Sequence, residues 1–505
     1  MALPRSWIKL RSFARMSSTK ASANEGLTFH MAPLPPKTHH HRQIPSSAFP
    51  RGYLLGGTHA GVKKKAGILD LGLAISSTAQ PAAAAGVFTR NAVAAAPVLV
   101  CQDVLQNTEG RIRGVVVNSG CANAVTGKKG MEDAWSMVKA ADTVANALID
   151  KSVGKGVQEG EKAESLVMST GVIGQPLPID KILSGISSFK PSSTNAPDPN
   201  AESSPMGHTF THWERAAHAF MTTDTFPKLR AASFSVGGRE YRIGGMTKGA
   251  GMIHPNMGLP PSGGKKELHA TLLGLILTDA PVTPQALSEA VAYATDRSFN
   301  SISVDGDMST NDTLLVLANG AAVPANELKN ATIDVNSGDA FVQFRDALTN
   351  FAAELAQLVV RDGEGATKFV TVTVDGAATY ADAHAIASRI STSALVKTAL
   401  YGEDANWGRI LAATGSIPPS SLTKPVNPSL VSVFLLPSPL SSNSTPLRLL
   451  EKGEPVGVDE VRAKEILRNE DIEIRVELGL GGEKATYWTC DFSYEYVRIN
   501  GDYRS

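Results

Sequence analysis

From about residue 53 onward, short β-rich runs alternate with helical stretches, which predicts an α/β protein of mixed α+β character. Two further observations narrow this. Apolar runs such as 114–118 (Gly-Val-Val-Val-Asn) and 272–277 are continuous, as strands buried on both faces are. The pair Gly237-Gly238 before the run 239–243 marks a hairpin, so the sheets should be mixed.

Taken in order, 132–149 carries helical spacing, and Leu166-Val167-Met168 reads as a short strand delivering Ser169-Thr170-Gly171 into a loop. Residues 190–206, dense in Ser, Pro and Asn, read as an exposed connection. After Leu277, Thr283 is placed to cap a helix with Pro284 at its first position. Phe341, Phe344, Leu348, Leu355 and Val359 line one face of a long helix that should stop at Asp362-Gly363. Val370, Val372 and Val374, then Ile472, Ile474, Val476 and Leu478, alternate as strands. A Gly-Gly turn precedes a last strand through Trp488 and Phe492.

The chain of 505 residues is 42% hydrophobic and 19% charged, with 48 basic against 48 acidic residues. Such balance gives no electrostatic footprint for nucleic acid or an anionic membrane, and no apolar run is long enough for a transmembrane helix. Three cysteines, Cys101, Cys121 and Cys490, show no metal-ligand spacing and fit neither a disulfide framework nor a zinc site. Cys121 reads as a small buried filler. Arg5, Lys9, Arg11, Arg15 and Lys20, with no acidic residue before Glu25, give residues 1–24 the pattern of a mitochondrial transit peptide and point to the matrix. Asp305, Asp307 and Asp312 are spaced suggestively for a cation. Their stretch lacks the glycine at position six and the closing glutamate of a calcium loop, so they read as turn caps and site scaffolding and no catalytic metal is expected.

By itself, Ala270-Thr271 is the start of a strand, Thr170-Gly171 a turn, Lys248 a lysine in a glycine-rich loop and Glu364 a glutamate in an Asp-Gly-Glu-Gly turn. Each also has a chemical reading. A threonine hydroxyl can attack the preceding carbonyl, and hydrolysis then frees an α-amine that can serve as its base. A glycine lets a backbone N–H approach a developing oxyanion closely.

The series 87–91 (Val-Phe-Thr-Arg-Asn), 118–123 (Asn-Ser-Gly-Cys-Ala-Asn), 169–174 (Ser-Thr-Gly-Val-Ile-Gly), 248–257, 303–307, 361–369, 406–409 and 499–505 resembles the ornithine acetyltransferases, or glutamate N-acetyltransferases, of the cyclic arginine pathway. The resemblance runs in family order from about residue 54 to the end. It implies a layered sandwich of helices around two stacked sheets, self-cleaved at Ala270-Thr271 into chains 25–270 and 271–505 that share one core. It assigns Thr271 as nucleophile, Thr170 and Gly171 to the oxyanion, and Thr222, Lys248, Thr271, Glu364, Asn500 and Ser505 to substrate. The implied substrates are N-acetyl-L-ornithine and L-glutamate, with acetyl-CoA as an alternative donor and no cofactor; the implied assembly is a heterotetramer of two of each chain. A self-processing aminopeptidase of the related fold is the alternative. Two regions depart from the family: residues 258–269 are inserted before the junction, and 418–447 form an expanded Pro/Ser-rich segment read as a surface loop.

Overall fold

The computed structural model describes residues 34–153, 163–191, 198–260, 272–437 and 443–502. Residues 1–24, Ala270, Thr271, Ser505 and most of the insert lie outside them.

Three sheets form among the described residues. The first orders β1 (Tyr53–Thr58), β2 (Leu71–Ser76), β5 (Gly114–Cys121) and β6 (Ser165–Val172). The second runs β4 (Arg111–Ile112), β3 (Ala82–Thr89), β12 (Thr313–Ala318), β10 (Leu273–Thr278), β8 (Arg239–Lys248) and β7 (Lys228–Val236), with β9 (Met257–Gly258) on β3. The third orders β11 (Ile302–Ser303), β18 (Glu483–Cys490), β13 (Phe369–Ala377), β17 (Asp471–Glu477), β14 (Ser432–Leu436), β15 (Leu447–Glu451) and β16 (Glu454–Pro455). Parallel pairs (β5–β6, β10–β12, β13–β17) sit beside antiparallel ones, so every sheet is mixed.

One core fills the space between the first two sheets and the helices Ala96–Asn107, Gly127–Val153 and Phe210–Phe220. A second lies on the opposite face of the second sheet, under the helices Pro284–Asp296 and Asp339–Arg361. The third sheet, additional to the two that the resemblance implied, closes its own core with the helices Tyr380–Ser391 and Glu460–Leu467. Its alternating valines and isoleucines give it an apolar face that needs its own cover. Segments on both sides of residue 271 contribute to the first two cores: Leu273, Leu275 and Leu315 join Tyr53, Leu73 and Met246, while Val87 and Ile243 join Ile276 and Leu355.

Local signals explain the elements. The Thr283 hydroxyl accepts the Ala286 N–H at 3.3 Å, with Pro284 first in its helix, as expected. The helix Asp339–Arg361 buries Phe344, Leu348, Leu355 and Val359 on one face.

Three readings need correction. Ser169-Thr170-Gly171 are not a loop: β6 continues through Val172, because a bulge at Gly120/Cys121 lets it keep pairing with β5. Lys248 is not on a loose glycine-rich loop but closes β8, where it pairs with Leu273. The 418–447 segment contains β14, which pairs with β17 inside the third sheet.

Candidate active site

Thr170, Gly171, Thr222, Lys248, Glu364 and Asn500 line one cavity of about 280 Å³. Cavities of about 680 and 610 Å³ lie elsewhere, lined by other residues. The smaller one is chemically the more informative, because six residues predicted to act together, five of them with side chains, converge on it.

Part of its lining is backbone. Gly171 has φ of 128° and faces Gly120, whose φ is 116°. A Cβ on Gly171 would lie 2.3 Å from the Gly120 carbonyl carbon, so the two strands approach here only because residue 171 has no side chain. Thr170 is buried beside this contact, and its Oγ1 accepts a hydrogen bond from Lys248 Nζ at 3.2 Å. An ammonium only donates, so the Thr170 O–H proton is left to point elsewhere.

Lys248 is 4% exposed, which excludes a solvated loop lysine. Burial lowers its pKa from the ordinary value, with Asp224 opposing. Beneath it lies a buried ion network. Lys228 Nζ contacts both Asp224 and Asp362 at 2.5 Å, and Asp224 also accepts the backbone N–H groups of Gly249 and Thr222 at 2.8 and 2.9 Å. Burial alone would raise the Asp224 pKa, but Lys228 and Lys248 outweigh it and hold the carboxyl well below the usual range. Asp362 in turn accepts the Thr225 N–H at 2.9 Å and the Thr225 hydroxyl. The network therefore fixes both the Thr222 turn and the chain leaving Lys248. Nearby, burial lowers Lys63 to about 8; its ammonium donates to the carbonyls of Leu69 and Met221 at 2.8 Å.

The facing wall comes from the later part of the chain. The Glu364 N–H bonds to the Ala250 carbonyl at 2.8 Å, and Asn500, in the helix Tyr494–Gly501, donates to Glu364 Oε2 at 2.9 Å. The Glu364 carboxylate lies against Gly251, where a Cβ would come within 2.3 Å of it. Asp305 ties the walls together. It accepts the N–H groups of Met252 and Ile253 at 2.6 and 2.9 Å and the Tyr496 hydroxyl at 3.2 Å. At the junction, Asp312 accepts the Leu272 N–H at 2.5 Å.

A single family model matches residues 54–505. The chain belongs to the ArgJ family. It is 61% identical over 480 residues to the mitochondrial arginine biosynthesis bifunctional protein ArgJ of Postia placenta, covering 95% of this chain and 97% of that one. The Laccaria bicolor protein of the same name is 59% identical, with 95% and 98% covered. Among solved structures, ArgJ of Bacillus halodurans is 38% identical over 44% of this chain and 95% of its own, with a TM-score of 0.39.

Within this chain, the motifs named the cavity-lining groups and Asp305 read as scaffolding, but the other supports, Lys63, Asp224, Lys228, Asp362 and Tyr496, carried no signal of their own. Asp224 stood two residues from Thr222, yet an acid in a Thr-rich turn carries no mark of burial. Among the described residues, His39, His40 and Glu470 have metal-ligand spacing, but they do not line the cavity, and Glu470 is paired with Lys37 at 3.2 Å. Cys101, Cys121 and Cys490 are free and buried.

Proposed function

We propose that this protein moves an acetyl group from N-acetyl-L-ornithine to L-glutamate through an acetylated Thr271, after the chain has cut itself between Ala270 and Thr271. The observation that supports this most is the single cavity shared by Thr170, Gly171, Thr222 and Lys248 from before the junction and Glu364 and Asn500 from after it. Family membership favours transfer over the aminopeptidase alternative.

The freed α-amine of Thr271, with an ordinary pKa of about 7.7–8.0, takes the proton of its own hydroxyl. Oγ then attacks the acetyl carbonyl of N-acetylornithine. The Thr170 hydroxyl and the Gly171 N–H hold the negative oxygen, the C–N bond breaks, and ornithine leaves with the proton. The glutamate amine attacks the acetyl ester, the C–O bond breaks and Oγ regains its proton. Lys248 holds the amino-acid carboxylate, and Glu364 with Asn500 and Thr222 hold its polar groups; Ser505, outside the described residues, is assigned to the substrate by the family motif alone. Acetyl-CoA serves as a second donor, without any cofactor.

The pieces 25–270 and 271–505 stay together, because β10 pairs with β8 and β12 pairs with β3, each across the cut. We place the enzyme in the mitochondrial matrix, imported by residues 1–24, as a heterotetramer of two of each chain. Purified protein mixed with N-acetylornithine and glutamate, without CoA, should release ornithine; no release overturns the reading. N-terminal sequencing should return Thr271 as the internal terminus.

A further inference from the structure

The cavity of about 610 Å³ is lined by other residues than the active one, but a single chain segment, 251–256, contributes to both. Gly251 and Met252 line the active cavity; His254 and Asn256, in the same segment, line the second. The second sheet sets their spacing. Lys248, Leu273, Thr313, Phe88 and Gly258 form one row across it. Phe88 is two strand spacings, about 10 Å, from Leu273. Arg90 stands two residues past Phe88, at the end of the sheet where β10 begins.

The lining is cationic and aromatic. Arg90 and Arg389 are exposed, and each is steered by one side-chain bond: Arg90 Nη1 to Asn256 Oδ1 at 3.2 Å, Arg389 Nε to Ser416 Oγ at 2.8 Å. A guanidinium carries five N–H donors, so both retain donors for an anion. The acidic residue of the lining, Asp296, is engaged by the Asn300 amide at 2.9 Å. In the same lining, Tyr380 and His384 stack with ring centres 5.8 Å apart, and His384 meets Tyr487 at 5.4 Å. His254 Nδ1 and the Tyr487 hydroxyl are 3.1 Å apart. Arg297 lies over the Tyr380 ring at 4.3 Å and adds a third positive charge behind it.

An amino-acid substrate needs only the smaller cavity. A second site with two guanidiniums and flat rings suits a donor whose acyl group sits on a long arm ending in phosphates and a heteroaromatic base. We propose that this cavity binds the phosphorylated nucleotide end of an acyl-thioester donor, acetyl-CoA, while its acetyl end reaches the start of β10. This rests on the transferase reading. In the step it serves, Thr271 Oγ bonds to the thioester carbon, the C–S bond breaks, and the hydroxyl proton passes to the departing thiolate, giving free CoA.

The probe is adenosine 3′,5′-bisphosphate, which has the phosphates and base without the acyl arm. It should compete with acetyl-CoA and not with N-acetylornithine, and should bind measurably by calorimetry. Arg90→Ala and Arg389→Ala should each raise the acetyl-CoA KM by about tenfold or more, the size of one lost charge-assisted bond. Transfer from N-acetylornithine should stay unchanged in both, which also shows that they fold; Arg→Lys variants should recover part of the loss. An unchanged acetyl-CoA KM in both alanine variants, or equal inhibition of both donors by the bisphosphate, overturns the proposal. So does a wild-type enzyme that releases ornithine but neither binds the bisphosphate nor uses acetyl-CoA. Wild-type protein that releases no ornithine instead sinks the transferase reading, while bisphosphate binding lost in the arginine variants would still report the site.

Discussion

Thr170, Gly171 and Lys248, on the wall that precedes the junction, are held by strand pairing and a buried ion network, whereas Glu364 and Asn500, on the facing wall, are held by a turn and a short terminal helix. The first wall is specified by backbone. Its closest contact, Gly171 on Gly120, has no side chain that could relax, and its cations and anions are out of water. The second is specified by side chains that meet across one hydrogen bond. In the proposed scheme the fixed wall would carry the oxyanion donors, which must be set before charge develops, together with Lys248 for the substrate carboxylate, while the facing wall would hold the substrate's remaining polar groups.

This contrast can be broken in steps. Thr271→Ala should abolish both chain cleavage and transfer, a loss of about 10⁴-fold or more if one hydroxyl serves both steps. An uncleaved variant with full activity would remove the nucleophile from the scheme. On the rigid wall, Thr170→Ala should lose roughly 10²–10³-fold in kcat with little change in KM. Gly171→Ala should match that loss and also destabilise the fold, since its Cβ meets backbone; a fully active Gly171→Ala would show that the strands can part.

Asp224→Asn should destabilise the protein by about 3–5 kcal/mol in urea unfolding at neutral pH, by stripping Lys228 of one buried partner. The pH dependence gives a second check. The folded Asp224 pKa is depressed, so its contribution is present above the unfolded value of about 3.9 and is lost as pH falls through the folded one. Wild type should therefore lose stability on acidification below about pH 4 more steeply than Asp224→Asn. Equal slopes would mean the carboxyl is not held low. The smallest effect is expected on the facing wall: Asn500→Ala should raise the glutamate KM by about tenfold or less, with kcat little changed, the cost of one hydrogen bond. A collapse of kcat there would make the two walls equally catalytic.

Much of this molecule was legible in its sequence. Thr283-Pro284 marked a helix start, the Phe344–Leu348–Leu355–Val359 stripe a helix face, and Val370–Val374 a strand, because capping and periodicity are local properties. The motifs also named the six cavity residues. Legibility failed where chain segments far apart in sequence decide the outcome. Ser169-Thr170-Gly171 look like a turn, yet they lie in a strand because a bulged β5 and a second glycine accept them. Lys248 looks solvated, yet it is buried because Asp224 and its Lys228–Asp362 partners sit beneath it. Asp305 reads as scaffolding in sequence, but its partners Met252, Ile253 and Tyr496 are settled only once segments on both sides of the junction reach it.

By itself, then, the sequence determined the mixed α/β class and most element positions, since these follow from residue type and local spacing, while the groups around the cavity were named by the resemblance of its motifs to a family. The tertiary structure decided which of those groups are buried, what charges face them and how one segment comes to wall two cavities. Those properties belong to pairings between distant segments, where desolvation and close backbone approach are set by the partner and not by the residue.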